Sequence, residues 1–205
     1  MIRRILLDLD DTLNTLTLHI LGAVRGLNIG PYDYDRFPVE VGYGIIDAYE
    51  KLKVLEPNPQ DFESFSIQAF WDSVPRSAWS HTPKSPQFDF LIESAERQVG
   101  RENVCILTSP TKDPESLAGK LEWIHDNLPS WLHRQYLVGP RKYFCARPDT
   151  LLIDDSDDNC KLFREHGGHA ILVPRPWNTN HHLNTDVHLA DRFRCYESVS
   201  RRIAA

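Results

Sequence analysis

The stretch Ile5-Leu6-Leu7-Asp8-Leu9-Asp10-Asp11-Thr12-Leu13 contains the features that decide the fold. Its apolar half, from Ile5 to Leu7, predicts a buried β-strand. Three acids follow within four positions, and burying an unpartnered carboxylate is costly. We therefore expect the acids at the C-terminal end of the strand, where α/β sheets open into a ligand crevice. Strand alternation points Asp8 and Asp10 to the same side, and two close carboxylates suit a hard cation such as Mg²⁺.

Length and composition are those of a globular protein of one domain, or of one domain with an insert. The chain has 205 residues, of which 41% are apolar and 25% are charged, and these shares are ordinary for a soluble domain. The net charge of −6 argues against a nucleic acid polymer as partner, because such binders carry basic patches. It leaves room for a small phosphorylated substrate, since a bound metal offsets local charge.

The sequence predicts a cytoplasmic location and no membrane partner. The apolar run after Arg3 and Arg4 is too short for a signal peptide or a membrane span. The four cysteines form no CxxC pair and are expected to be reduced thiols. The neighbouring His181 and His182 are expected at the surface rather than on a metal. The oligomeric state stays open.

Residues 14–100 are predicted to be mainly helical. Four segments have apolar residues at helical spacing, namely 14–30, 43–53, 61–71 and 88–98. Asp61 is the expected N-cap of the third segment. Residues 71–87 are rich in Pro, Ser and Trp, which predicts a loop.

The pattern changes to alternating strands and helices after residue 100. Four short apolar segments predict strands, namely 103–107, 136–138, 150–153 and 170–173. Helical patterns occupy 115–127 and 159–166, and a surface helix is expected within 181–205. This alternation predicts an α/β fold with a Rossmann-like parallel sheet and helices on both faces.

Polar residues follow several of the predicted strands. Thr108 and Ser109 follow one strand, Asp154 and Asp155 end another, and Lys142 comes after a short strand. Because C-terminal strand ends share one edge of a parallel sheet, we expect these residues to lie near Asp8 and Asp10. A helix starting after Ser109 would present its N-terminus to an anion. Such a set suits phosphoryl transfer.

These residues resemble the four motifs of the haloacid dehalogenase-like superfamily of phosphohydrolases. Asp8 to Thr12 fits the form DxDx[TV], and Thr108 matches the Ser or Thr of the second motif. Lys142 matches the lysine of the third motif best, with Lys120 as a weaker candidate. Asp154 and Asp155 match the acidic pair of the fourth.

Within the superfamily, three segments are similar to the 5'(3')-deoxyribonucleotidases of phage and bacterial type, namely 107–110, 152–155 and 170–178. The superfamily match covers residues 1–13 and 101–178. The resemblance implies an α/β core of residues 1–13 and 101–205, with residues 14–100 inserted after the first strand as a small, mainly helical cap.

The activity that the resemblance implies is Mg²⁺-dependent hydrolysis of a phosphomonoester, most closely that of a nucleoside monophosphate. Asp8 would be the nucleophile that forms an aspartyl-phosphate, and Asp10 the general acid and base. Thr108 and Ser109 would bind phosphate oxygens, and Lys142 would neutralise charge.

The resemblance also implies the residues that surround the metal. Four residues would form the metal site, namely Asp8, Asp10 through its backbone carbonyl, Asp154 and Asp155. Which member of the acidic pair touches the metal stays open, with Asp158 as a further candidate. Thr12 would bond within the first loop, and Asp11 would be a bystander.

Each motif has a simpler explanation when it is taken alone. The DxD could be a solvated turn, Thr108 to Pro110 an ordinary helix N-cap, residues 154–158 an acidic capping loop, and Lys142 a surface lysine. Their occurrence in order at strand ends favours the functional interpretation over these alternatives.

Aromatic residues of the insert are candidates for binding a nucleobase. Phe62 and Phe65 are expected to be core residues of the cap. Phe70 and Trp71 precede the Pro/Ser loop that should face the crevice, and we expect them to form a platform for a base.

Two alternative functions stay open at this point. One is a phosphatase for another small phosphometabolite. The other is a non-catalytic, receiver-like phospho-acceptor domain, which combines similar residue types. Receiver domains have no cap-sized insert and their acidic pair comes first along the chain, whereas here the DxD comes first. This order favours the phosphatase.

Overall fold

A parallel β-sheet forms the centre of the molecule in the computed structural model, which describes the backbone of residues 1–204 and the side chains of residues 1–196. Within the described residues the sheet has five strands, namely β1 (Arg4–Leu7), β2 (Val104–Thr108), β3 (Tyr136–Val138), β4 (Thr150–Asp154) and β5 (His169–Leu172). Their order is β3-β2-β1-β4-β5, and all pairs are parallel. The predicted α/β architecture is therefore confirmed.

Strand β1 occupies the middle of the sheet because it is apolar on both faces. Ile5 and Leu7 are fully buried in the larger core cluster, whereas Leu6 lies in the smaller cluster on the opposite face. The strand pairs with β2 through Leu7 and Ile106 and with β4 through Leu7 and Ile153. This arrangement places the acids after Leu7 at the centre of the C-terminal edge.

The helices cover both faces of the sheet and form the insert. They are α1 (Leu16–His19), α2 (Ile45–Lys53), α3 (Ile67–Asp72), α4 (Arg76–Ser80), α5 (Phe88–Val99), α6 (Pro114–Asn127), α7 (Asp157–Glu165) and α8 (Thr185–Ala204). A π-helical turn, Ile20–Val24, extends α1. Short 3₁₀ turns are Tyr34–Arg36, Val39–Val41, Pro59–Asp61, Arg101–Asn103, Ser130–Leu132 and Lys142–Cys145.

The insert has a core of its own, separate from the two clusters on the sheet. This third cluster contains residues of α1, α2, α3 and α4, with Tyr49, Phe70 and Trp79 among its large side chains. Each of these three is at most 2% exposed. The insert is therefore stabilised by its own apolar packing as well as by contact with the sheet.

Two predicted elements of the insert differ from the structure. The pattern predicts a helix over 61–71 with Asp61 as N-cap, whereas α3 begins at Ile67 after Ser66, whose side chain accepts a hydrogen bond from the Ala69 N–H. Asp61 instead ends a 3₁₀ turn that begins at Pro59. The predicted loop over 71–87 contains the short helix α4.

Helix α5 packs on the sheet rather than on the rest of the insert. Phe88, Leu91 and Ile92 lie in the same core cluster as β1 and β2. By its packing α5 lies with the α/β core, although the predicted domain limits put residues up to 100 in the cap. The division of the chain into core and cap stays a prediction. None of the helices described is long and apolar enough to cross a membrane.

Candidate active site

The loop after β1 is held in a tight, largely buried conformation. Asp8 and Asp11 are each 6% exposed, and Asp11 has a φ of 56°, which only a few non-glycine residues adopt. Asn14 stabilises this turn, because its Oδ1 accepts hydrogen bonds from the backbone N–H groups of Asp11 and Leu16. The turn directs the Asp8 and Asp10 side chains into one cleft.

Asp8 is paired with a buried lysine. Nζ of Lys142 lies 2.6 Å from Oδ1 of Asp8 and 2.7 Å from Oδ2 of Asp154. Burial raises the pKa of Asp8 well above its usual range, although the charge of Lys142 opposes this. Burial acts to lower the pKa of Lys142, but the charges of Asp154 and Asp8 outweigh it and raise the pKa above the usual value. Lys142 is therefore a cation of the cleft and not a surface lysine.

Asp10 is paired with a second buried lysine, Lys120 of α6. Nζ of Lys120 donates to Oδ2 of Asp10 and to the backbone oxygen of Ser109, and lies 3.3 Å from Oγ1 of Thr108. Asn14 Nδ2 approaches the other oxygen of Asp10 at 3.4 Å. The structure thus brings both lysine candidates into the site, one beside each acid of the DxD.

Asp11 is buried and bonded, although the sequence predicts a bystander. Its carboxylate accepts hydrogen bonds from the N–H of Thr17 and, at 2.6 Å, from the Thr17 hydroxyl. Burial raises the pKa of Asp11 to about 7, against these hydrogen bonds. Nε of Arg175 donates to the backbone oxygen of Asp11 at 2.6 Å. Asp11 therefore ties the loop after β1 to the first helix of the insert.

The hydroxyls expected to bind phosphate are engaged within the protein. Thr108 is fully buried and faces Lys120, while the Ser109 hydroxyl donates to the Gly139 oxygen. Ser109 lines the cleft. Helix α6 begins at Pro114, after an N-cap by Asp113, which confirms the helix predicted over 115–127. Thr12 Oγ1 is buried and has no hydrogen-bond partner in the described residues, in contrast to its expected role.

The two members of the acidic pair have different environments. Oδ1 of Asp154 accepts from the Ser156 N–H and from Asn159, and Oδ2 accepts from Lys142 and Asn159. Asp155 is bound at Oδ2 alone, by the hydroxyl of Tyr43 and by Nε1 of Trp177. Asp154 is thus saturated by protein donors, whereas Asp155 keeps one oxygen free of hydrogen bonds from the described residues.

The carboxylates suit a divalent cation. Oxygen atoms of Asp8, Asp154 and Asp155 lie within 4.8 Å of one another, and all three residues are buried. Burial raises the pKa of Asp155 to about 8, with the charges of Asp11 and Asp154 adding to the effect. Hard oxygen donors with uncompensated negative charge are what Mg²⁺ prefers. Asp158, in contrast, is exposed on α7.

The cleft has a volume of about 290 Å³ and an aromatic wall. Trp71 and Trp79 line it, and their rings stack with centroids 5.9 Å apart. Lys120 Nζ lies 5.2 Å from the centre of the Trp79 ring. Phe70 is fully buried against Tyr49 and does not line the cleft, so its expected contact with a base is wrong.

Sequence reasoning missed residues that no motif marks. Tyr43 and Trp177 contact Asp155 from two distant parts of the chain, and Asn14 and Asn159 orient Asp10 and Asp154. Trp177 lies in a segment that the sequence singles out, within 170–178, but nothing there indicates a bond to Asp155. Tyr43 lies between Gly42 and Gly44, and this pattern is the one local signal of a special backbone position.

Solved hydrolases share this fold. A hydrolase from Streptococcus pneumoniae TIGR4 has a TM-score of 0.51 at 12% identity, over 94% of this chain and 98% of that chain. A dehalogenase with an intermediate complex has a TM-score of 0.51 at 12% identity, over 86% of this chain and 87% of that chain. Both proteins therefore share the α/β fold of this chain, and at these identities the likeness extends to the fold alone. The sequence matches no family model and no curated protein.

Proposed function

We propose that the protein is a Mg²⁺-dependent phosphatase that acts through an aspartyl-phosphate, with a nucleoside monophosphate as substrate. The observation that carries the proposal is the convergence of Asp8, Asp154 and Asp155 with Lys142 at the edge of the sheet. The fold, which hydrolases share, supports the same reaction class. Phosphoryl transfer depends on positioning and charge neutralisation, and this cleft offers both.

In the first step an oxygen of Asp8 attacks phosphorus and the bond from phosphorus to the leaving oxygen breaks. Oδ1 of Asp8 is held by Lys142 and by the Leu9 N–H at 2.8 Å. The hydrogen bonds of the described residues leave Oδ2 free, and we assign the attack to this atom. Asp10, in its protonated form, gives its proton to the leaving alkoxide, so that the alcohol departs neutral.

In the second step water attacks the aspartyl-phosphate. Asp10, now ionised, takes a proton from the water, and the bond between phosphorus and Oδ2 of Asp8 breaks to release inorganic phosphate. Asp10 returns to its protonated form and Asp8 to its carboxylate. Lys120, which contacts Asp10 and the Ser109 oxygen, holds the acid in place through both proton transfers.

The residues that would hold Mg²⁺ are Asp8, the free oxygen of Asp155 and the backbone carbonyl of Asp10. Asp154 is assigned to orienting Lys142, because both of its oxygens already accept hydrogen bonds. When bound, the cation supplies charge neutralisation for the phosphoryl oxygens. The protein itself contributes a group of carboxylates at the edge of the sheet that positions the nucleophile.

A nucleotide suits the cleft because both cationic and aromatic side chains line it. Lys142 and Ser109 line one part and Trp71 and Trp79 another. Base stacking on aromatic side chains contributes about 1–3 kcal/mol. We propose a small phosphorylated molecule of this kind, rather than a nucleic acid polymer, as the partner. The motif resemblance to the 5'(3')-deoxyribonucleotidases supports the same substrate class.

The first experiment is hydrolysis of p-nitrophenyl phosphate with and without Mg²⁺. We expect turnover that requires Mg²⁺ and disappears in Asp8→Asn. Absence of turnover in the wild type, or turnover that survives in Asp8→Asn, contradicts the enzyme proposal and favours a non-catalytic phospho-acceptor. Since a dehalogenase shares the fold, halide release from a halogenated acid serves as the counter-assay.

The second experiment addresses the substrate. Phosphate release is measured from a panel of 5' and 3' ribo- and deoxyribonucleotides and from sugar phosphates. We expect the highest kcat/KM for a nucleoside monophosphate. A preference for sugar phosphates would reject the nucleotidase and favour a phosphatase for another small metabolite.

A further inference from the structure

We propose that Tyr43 is a positioning residue of the metal site. Through Tyr43, the binding of a divalent cation at Asp155 depends on the packing of insert segment 34–43 against the core, and that packing, here called the seated state of the segment, depends on the cation. The inference rests on the proposed metal site, but it does not depend on the identity of the substrate. Tyr43 belongs to the insert, whereas Asp155 follows the last residue of β4.

Two donors converge on a single oxygen of Asp155. The hydroxyl of Tyr43 and Nε1 of Trp177, the latter at 2.7 Å, both donate to Oδ2. The described residues make no hydrogen bond to Oδ1, and one oxygen of Asp155 lies within 4.8 Å of oxygens of Asp8 and Asp154. An oxygen held by two donors fixes the plane of the carboxylate, and this fixes where its second oxygen points.

The ring of Tyr43 and its hydroxyl have different environments. The residue is 51% exposed, while its hydroxyl contacts Asp155, which is 4% exposed. Tyr43 lies between Gly42, which has a φ of 54°, and Gly44. Tyr43 is therefore held by its bond to Asp155 together with its ring contact to Trp177.

Trp177 connects the same segment to the core. It is 4% exposed, and the rings of Tyr34, Phe37 and Tyr43 pack around it with centroids 6.4, 5.1 and 6.2 Å away. Both donors to Asp155 therefore belong to one aromatic cluster across the junction of insert and core. Moving segment 34–43 away would remove the Tyr43 hydroxyl and uncover Trp177.

Coupling follows from this arrangement. If the seated segment orients Asp155 for a cation, a bound cation must favour the seated segment by the same factor, since linkage is reciprocal. Partners of metal ligands typically contribute about 10–100-fold to metal affinity. In this protein the hydrogen bond to the metal ligand Asp155 comes from Tyr43, a residue of the insert that lies outside the four sequence motifs.

The test is a calorimetric Mg²⁺ titration of the metal-free full chain and two variants. Tyr43→Phe keeps the ring and removes only the hydroxyl. Tyr32→Phe is the matched control, because Tyr32 is 53% exposed and lies in the same part of the insert. We expect the Mg²⁺ Kd to rise about ten-fold in Tyr43→Phe and to stay unchanged in Tyr32→Phe.

Equal Kd values in wild type and Tyr43→Phe would overturn the inference while leaving the phosphatase intact. A wild type that does not bind Mg²⁺ would overturn both. A shifted Kd in a protein without phosphatase activity would support the inference and refute the proposed function alone.

Amide hydrogen exchange provides a second measurement, because a Tyr43 hydroxyl that only stabilised the fold would not make exchange in its segment depend on Mg²⁺. We expect Mg²⁺ to slow amide exchange in residues 34–44 of the wild type and of Tyr32→Phe, and to have no such effect in Tyr43→Phe. Equal slowing in all three proteins would contradict the coupling. Equal melting temperatures without Mg²⁺ would show that the variants are folded alike.

Discussion

Nζ of Lys142 lies 2.6 Å from Oδ1 of Asp8, and less than a tenth of the surface of either side chain is exposed. The same ammonium group lies 2.7 Å from Asp154. One cation thus separates two carboxylates at the centre of the sheet edge. This arrangement holds Asp8, the proposed nucleophile, in one orientation and makes the site sensitive to loss of the lysine.

Replacing Lys142 with Met should abolish turnover and destabilise the protein. Removing one partner of a buried ion pair typically costs about 3–5 kcal/mol, because it leaves uncompensated buried charge. The free energy of unfolding is measured by urea denaturation. Lys112→Met is the control, since Lys112 is exposed, and its stability should be that of the wild type. A Lys142→Met protein of wild-type stability would contradict the buried pair.

Replacing Asp10 with Asn should separate chemistry from metal binding. The amide cannot transfer the proton, so turnover should fall by about 10²–10⁴-fold. The Mg²⁺ Kd should stay near that of the wild type, because the proposed metal contact of Asp10 is its backbone carbonyl. Phosphate release and calorimetry measure the two quantities. Loss of both together would show that the Asp10 side chain holds the metal.

The stability of the metal-free protein should fall as the pH rises. Burial raises the pKa of Asp155 from 3.8 to about 8 and that of Asp11 to about 7. At pH values between 3.8 and about 8 these two carboxyl groups therefore bind more protons in the folded state than in the unfolded state. The free energy of unfolding accordingly decreases as the pH rises to about 8. Urea denaturation across pH 4–9 measures this.

Mg²⁺ should reverse that trend. Its affinity should increase up to about pH 8, since protons compete for Asp155, and saturating Mg²⁺ should restore stability at high pH. A free energy of unfolding that rises with pH in the metal-free protein would contradict the raised pKa values.

Trp71 and Phe70 should respond differently to truncation. Trp71 lines the cleft, so Trp71→Ala should raise KM for a nucleotide about ten-fold, in line with the loss of one stacking contact, with a smaller effect on p-nitrophenyl phosphate. Phe70 is fully buried, so Phe70→Ala should lower the free energy of unfolding by about 3–5 kcal/mol. Steady-state kinetics and urea denaturation distinguish the two effects.

Gly119→Ala tests the contact between insert and core. A Cβ at Gly119 would lie 2.6 Å from the Arg76 oxygen and 2.6 Å from Trp79 Cβ, so α4 would have to move away from α6. We expect a loss of about 1–3 kcal/mol in stability, although alanine favours helices by about 1 kcal/mol. A gain in stability on urea denaturation would contradict the close packing.

Much of the fold follows from local patterns in the sequence. The apolar segments that predict strands lie within a residue or two of β1 to β5. Four of these strands are mostly buried, and short buried runs have few alternatives, whereas β3 is exposed along its length. The start of α3 is not determined by local pattern, since Asp61 and Ser66 are both acceptable N-caps. Phe70 and Trp71 are adjacent and both aromatic, and only packing shows which faces the insert core and which the cleft.

The sequence by itself determined that acids, hydroxyls and a lysine follow the strands of one parallel sheet, because each of these groups lies at the end of its strand or within a few residues after it. Only the tertiary structure decided how these groups pair. It placed Lys142 between Asp8 and Asp154, Lys120 beside Asp10, and Tyr43 against Asp155. Such pairs join residues far apart in the chain, and their distances depend on how helices pack on the sheet, which no local pattern records.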